Sequence, residues 1–231
     1  MKIIGFIPAR GGSKGIPNKN LVDLCGEPLI YYAIKHLLES NVDSVYVSSD
    51  SNKIKEVSEK LGAIGIHRPD HLAGDIVDID TVLLNYCMEE ENFFINKECD
   101  IVVMVQPTSP LINATQINKG IELVISGKFD SVFSAVKTND TLIWDNTIKP
   151  MNYNPRIRKN RQIRKSYLYI ETGGFYVFSL KSLIKTKCRI GGKIGVVEVP
   201  FWESFEIDCY EDLFYIERLM ISKYNGEKGK I

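Results

Sequence analysis

The chain has 231 residues, 44 % of them hydrophobic and 25 % charged, the balance of a soluble globular protein with room for one large domain and a substantial core. Lysine plus arginine and aspartate plus glutamate number 29 each, which excludes a global polyanion-binding character and makes any cationic site a local one. The five cysteines form no C-x-x-C pair, MKIIGFIPAR is charged too early for a signal peptide, and no apolar run reaches the ~20 residues that span a bilayer, so reduced thiols and a cytoplasmic location are expected.

The first element is an apolar run, IIGFIPA (3–9), followed at once by a glycine-rich loop with Arg10, Lys14 and Lys19 and no acid before Asp23. PLIYYAIKHLLES (28–40) has helical spacing, with Leu29, Tyr32, Ala33, Ile34 and Leu37 on one stripe; 51–61, 79–91 and 114–126 behave similarly. SVYVSS (44–49), DIVVMVQ (100–106) and SVFSAV (131–136) are short and β-branched, the pattern of strands buried on both faces. Alternation of strand and helix predicts an α/β fold with a mostly parallel sheet flanked by helices, and ligands beyond the carboxyl ends of its strands. From about Asn139 to 170 the chain is polar, proline-punctuated and basic, which predicts an excursion from the sheet, a small antiparallel arm. GGFYVF (173–178) and IGVVEV (194–199) return to the sheet, and a helix over 210–222 closes the fold.

The opening loop is suited to a triphosphate. Glycines let backbone N–H groups approach an anion, Ser13 adds a hydroxyl, and Arg10, Lys14 and Lys19 add charge. It is neither G-x-x-x-x-G-K-[ST] nor G-x-G-x-x-G, so a P-loop NTPase and a dinucleotide site are disfavoured. Glu206 and Asp208 in SFEID (204–208) alternate with Phe205 and Ile207; on a strand both carboxylates would face one side, where a hard cation such as Mg²⁺ could take them with substrate phosphates. Residues 146–170 hold no acid but carry Lys149, Arg156, Arg158, Lys159, Arg161, Arg164 and Lys165. Without a nucleic-acid module, this stripe is a solvated arm or the wall of an anionic site rather than an RNA-binding surface.

IPARGGSKGIPNKN (7–20) resembles the nucleotide-binding signature of the acylneuraminate cytidylyltransferases, the CMP-sialic acid synthetase family. VSSD (47–50), HRPDHLAGD (67–75), VQPTSPL (105–111), Arg161-Gln162 and SFEID resemble further family segments in order. The resemblance implies a single cytidylyltransferase domain over 1–231, of the Rossmann-like nucleotidyltransferase fold, with 139–170 as an inserted dimerisation arm. It implies that a nonulosonic acid attacks the α-phosphate of CTP, giving CMP-sugar and pyrophosphate with Mg²⁺ as cofactor, in a homodimer that binds neither nucleic acid nor membrane. The alternatives are a nucleotidyltransferase for an octulosonate or a phosphorylated acceptor, and a catalytically silent nucleotide- or RNA-binding protein.

By the same resemblance Arg10 and Lys19 polarise the phosphates, Ser13 and Lys14 hold the tail, Asn20 lies near base or ribose, and Ala9, Gly11, Gly12 and Asp75 complete the nucleotide site. Gln106, Arg161, Thr172, Gly173 and Glu206 would meet the sugar, Asp208 with Glu206 the metal, and Arg161, near the sugar carboxylate or the phosphates, would be catalytic with Arg10, Lys19 and Asp208. Two departures bear on the acceptor: Glu206 stands where an aspartate is usual, and ETGGFY (171–176) replaces N-G-A-x-Y.

Overall fold

The computed structural model describes residues 1–88, 93–139, 142–163 and 167–228, the side chains of Arg161 and of 223–228 excepted. In chain order the elements are β1 (Ile3–Pro8), a two-residue hairpin of β2 (Asp23–Leu24) and β3 (Glu27–Pro28), α1 (Ile30–Leu38), β4 (Ser44–Ser49), α2 (Asn52–Lys60) and β5 (Ile64–His67). Then come α3 (Ile79–Met88), α4 (Phe93–Asn96), β6 (Ile101–Val105), α5 (Ala114–Ile125) and β7 (Ser131–Thr138). β8 (Leu168–Ser179), α6 (Leu180–Thr186), β9 (Ile194–Glu198) and α7 (Tyr210–Lys228) complete the fold.

Seven strands form one sheet in the order β5-β4-β1-β6-β8-β7-β9. Every neighbouring pair is parallel except the two that β8 makes with β6 and β7. The strands read as uniformly apolar because both faces are covered. Side chains alternate between two cores: Ile3 and Ile7 of β1, Ile101, Val103 and Val105 of β6, and Phe175 and Val177 of β8 pack with α1 and α5. Ile4 and Phe6, Val102 and Met104, and Tyr176 and Phe178 pack on the other face with α3, α4 and α6. The stripe expected on α1 is the buried one, with Leu29, Ala33, Ile34 and Leu37 at most 1 % exposed.

α5 begins with a reciprocal capping box. Asn113 Oδ1 accepts from the Gln116 N–H at 3.1 Å, and Gln116 Oε1 accepts from the Asn113 N–H at 3.2 Å. The Gln116 amide then donates to the buried Glu203 carboxylate, which ties the turn before 204–208 to α5.

Two expectations need correction. Residues 204–207 form no strand; they follow a 3₁₀ turn (Phe201–Glu203) as irregular backbone, and the Ile207 N–H is taken by the Thr108 carbonyl instead of a strand ladder. The antiparallel arm reduces, among the described residues of 142–163, to a single Trp144–Pro150 bridge and two 3₁₀ turns (Pro155–Ile157, Arg161–Ile163). Asp145 holds its first turn by accepting from the Thr147 and Lys149 N–H groups. The end of the helix expected over 79–91, and Arg164 and Lys165 of the basic stretch, lie outside the described residues.

Candidate active site

The loop after β1 meets the loop before α7 at the carboxyl edge of the sheet. Each is pinned by a fully buried isoleucine, Ile16 and Ile207, in a third apolar cluster with Leu24, Leu29, Leu111 and Ile216. The Ile207 N–H also donates to the Thr108 carbonyl at 2.8 Å, fixing the second loop to the segment after β6. Between the loops lies a cleft of about 370 Å³ bounded by Arg10, Ser13, Lys14, Lys19, Gln106 and Asp208. Residues from both ends of the chain and from the middle of the sheet therefore converge on one space.

Each loop cation faces a carboxylate. Arg10 Nη1 lies 2.7 Å from Asp75 Oδ1, and Lys14 Nζ lies 2.6 Å from Asp75 Oδ2. The Lys14 and Arg10 hydrogen bonds hold the Asp75 carboxyl below the usual range. Lys19 Nζ donates to Asp208 Oδ1 at 2.8 Å and to the Ile207 carbonyl at 3.0 Å. Gly11 does not keep its N–H for a ligand; it donates to Asp50 Oδ1 at 2.8 Å. Asn20 is buried and its amide braces the Arg10 carbonyl at 2.9 Å, although the residue also borders the cleft. Ala9 is buried in the core and its N–H extends the β1–β4 ladder to Ser48, so its side chain offers the cleft nothing.

Gln106 and Glu206 flank Gly173. The Gln106 amide donates to the Gly173 carbonyl at 2.7 Å, and Gly173 has φ 69°, a conformation that side chains disfavour. A Cβ there would stand 2.3 Å from Glu206 Oε1, so the glycine is what admits this carboxyl. Glu206 accepts from the Ser109 hydroxyl at 3.2 Å, and burial pushes its carboxyl up. Thr172, expected to meet the sugar, is buried and is not among the residues that bound the cleft. Its hydroxyl pairs with that of Ser134 at 2.7 Å, where a bulge between Phe133 and Ala135 interrupts the ladder and Ser134 Oγ accepts from the Phe175 N–H. The Arg161 side chain lies outside the described residues.

For a divalent metal the donor set is small. Asp208 presents an exposed carboxylate to the cleft, whereas Glu206 is engaged by Ser109 and packed on Gly173. Among the described residues no group of three His, Cys, Asp or Glu side chains could cage a metal. One carboxylate beside a cationic cleft suits a hard cation that takes most of its oxygens from substrate phosphates and water.

Two residues at the site were not singled out from the sequence. Gly15 lies against the backbone of Asp208: a Cβ at Gly15 would stand 2.1 Å from the Asp208 carbonyl oxygen. Arg68, 4 % exposed, donates through Nε to Ser48 Oγ at 3.0 Å, while its buried Nη2 has no partner among the described residues. It borders a second cleft, about 250 Å³, with Arg10, Asp75 and Gln106. Its signal was its place between the end of a strand and Pro69, where a solvated arginine is the ordinary reading.

The family model described as cytidylyltransferase matches residues 4–179. The chain is 35 % identical over 216 residues to N-acylneuraminate cytidylyltransferase A of Danio rerio, covering 89 % of this chain and 48 % of that protein. It is 28 % identical over 235 residues to pseudaminic acid cytidylyltransferase of Campylobacter jejuni, covering 99 % of this chain and 100 % of that protein. The chain thus spans about half the length of the fish relative. In fold it is similar to a CMP:2-keto-3-deoxy-manno-octonic acid synthetase complexed with CTP, with TM-score 0.68, 17 % identity and coverage of 96 % and 100 % of the two chains. It is also similar to 4-diphosphocytidyl-2C-methyl-D-erythritol synthase of Anaerococcus prevotii, with TM-score 0.67, 14 % identity and coverage of 95 % and 98 %.

Proposed function

This chain belongs to the cytidylyltransferase family, and we propose that it transfers CMP from CTP to a nonulosonic (sialic-acid-like) acid, releasing pyrophosphate. The observation that carries this reading is the convergence of Arg10, Lys14, Lys19 and Asp208 on one cleft beside Gln106. In the reaction an acceptor hydroxyl oxygen bonds to the α-phosphorus while the bond from that phosphorus to the bridging oxygen of pyrophosphate breaks. The barrier falls when phosphate charge is neutralised and the nucleophile is held in line.

Arg10 and Lys19 are assigned to the phosphates, Ser13 and Lys14 to the tail, and Gln106 with Glu206 and Gly173 to the acceptor side. Asp208 would hold Mg²⁺, which when bound supplies positive charge at the phosphates. Arg68 is the candidate reader of the base. Cytosine offers adjacent acceptors at O2 and N3, whereas uracil places a donor at N3, and a buried guanidinium offers only donors. The arm is assigned to a dimer contact because it leaves Trp144, Ile157 and Ile163 exposed, and Tyr167 and Tyr169 at the start of β8 are exposed beside it.

The test is pyrophosphate release with Mg²⁺, each of the four nucleoside triphosphates, and a panel of N-acetylneuraminate, pseudaminate, legionaminate and an octulosonate. Turnover with CTP and a nine-carbon acid is expected. Equal turnover of UTP, or preference for the octulosonate, overturns the assignment.

A further inference from the structure

Resting on the phosphate assignment above, we infer that Asp75 is an internal competitor of the triphosphate, engaging the two cations Arg10 and Lys14 that would otherwise bind it and thereby weakening the affinity for nucleotide. The geometry is specific. One carboxylate spends one oxygen on each cation, at 2.7 Å and 2.6 Å, and Arg10 Nη1 also reaches the Ala73 carbonyl at 3.4 Å. A guanidinium N–H given to a carboxylate is not available to a phosphate oxygen.

The carboxylate is delivered by a short, anchored segment. Leu72, buried in the second core, fixes the 3₁₀ turn Asp70–Leu72 three residues before it. Asp75 differs in this from Asp50 and Asp208. Asp50 takes a backbone N–H and shapes the loop; Asp208 faces the cleft beside Lys19, where a metal would sit between carboxylate and phosphate. Asp75, which the resemblance counts with the nucleotide-site residues, instead gives both of its oxygens to cations of that site. It adds negative charge beside a site for a polyanion and borders the second cleft next to Arg10. Its carboxyl is held below the ordinary range, so the competitor stays charged at every pH near neutrality. Both pairs are partly exposed and individually weak, so a triphosphate displaces them at a loss of affinity rather than being excluded.

The test is calorimetric titration of the full chain with inorganic tripolyphosphate at low salt, which needs neither base recognition nor turnover. Asp75→Asn is expected to bind about fivefold more tightly than the parent, the size that two exposed pairs support. Asp75→Ser, which removes the charge through a different side chain, is expected to do the same. Asp75→Glu, which keeps the charge, should bind like the parent, and the gap should narrow at 0.5 M salt, where screening weakens the pairs. Equal or weaker binding by the Asn and Ser variants, or no binding by any variant, overturns the inference. Failure of cytidylyl transfer with every acceptor would defeat the function proposed above, yet would leave this titration readable.

Discussion

Gly15 lies directly beneath the carbonyl of Asp208, so close that a Cβ would approach its oxygen to 2.1 Å. The contact joins the two loops that carry the proposed chemistry, because Lys19 and Asp208 pair across the same junction. Gly15→Ala must separate them, since the obstacle is backbone and cannot rotate away. Overpacking of this kind costs about 1–3 kcal/mol, a fall in Tm of roughly 3–10 °C for a chain of this size. Gly12, with nothing among the described residues within 4 Å of its Cβ position, is the control. Gly12→Ala should leave Tm within about 1 °C, and thermal melts of the two variants check the contrast.

Glu206 gives a pH-dependent signature. Burial raises its carboxyl above the ordinary 4.5, so above that range the folded protein carries a charge it would rather lose. A raised carboxyl favours the fold only at low pH, and that contribution is lost as pH rises through the folded value. Glu206→Gln should therefore raise Tm at pH 7 by ~2 °C, an amount kept small because the group retains some solvent access. The gain should vanish below about pH 4. Melts at several pH values with the same sign of difference throughout would contradict this.

Arg68 should decide base choice. Arg68→Met keeps bulk and removes every donor, so kcat/KM for CTP should fall by about 10² and the CTP:UTP preference should shrink with it. A uniform loss for both nucleotides would assign Arg68 to support of the Ser48–Tyr86 network, in which the Tyr86 and Ser48 hydroxyls lie 2.9 Å apart.

The exposed aromatic and aliphatic side chains at Trp144, Ile157, Ile163 and Tyr167 make assembly measurable. Light scattering at micromolar concentration should return twice the mass of one 26.2 kDa chain. A single-chain mass together with full activity would remove the dimer contact from the proposal.

Much of the sheet was legible because a strand buried on both faces advertises itself as an unbroken apolar run, as β1, β4 and β6 do. β5 was missed because Ile64–His67 is short and lies at the sheet edge, half open to solvent. The reversal of β8 left no trace, since a buried strand reads the same in either direction. Arg10, Lys14, Lys19 and Asp208 were legible as types, but their pairing partners were not. Asp75 lies 65 residues from Arg10 in sequence, and Asp208 lies 189 from Lys19. The surroundings of Thr172 were hidden for a local reason: the β7–β8 ladder shifts so that residues 172–175 of β8 lie opposite Ser134 alone, which breaks the alternation of β8 and pairs the Thr172 hydroxyl with that of Ser134.

Arg10 and Asp208 separate phosphate chemistry from metal chemistry. Arg10 presents a planar, permanently charged fork, whereas lysine is a mobile point charge. If Arg10 stabilises charge as the bond to the leaving pyrophosphate breaks, Arg10→Lys should lower kcat by on the order of 10²–10³ rather than merely raise KM for CTP. Asp208→Asn should act differently, because a neutral amide is a poor ligand for a hard cation: the Mg²⁺ concentration needed for half-maximal rate should rise, with partial recovery at high Mg²⁺. That substitution also frees Lys19 from its 2.8 Å pair, so KM for CTP should not rise in parallel. A Mg²⁺ titration of both variants at saturating CTP distinguishes the two effects. Should both turn over at the parental rate across that titration, neither residue touches the reaction, and the cleft between Gly15 and Gln106 is not where phosphate is transferred.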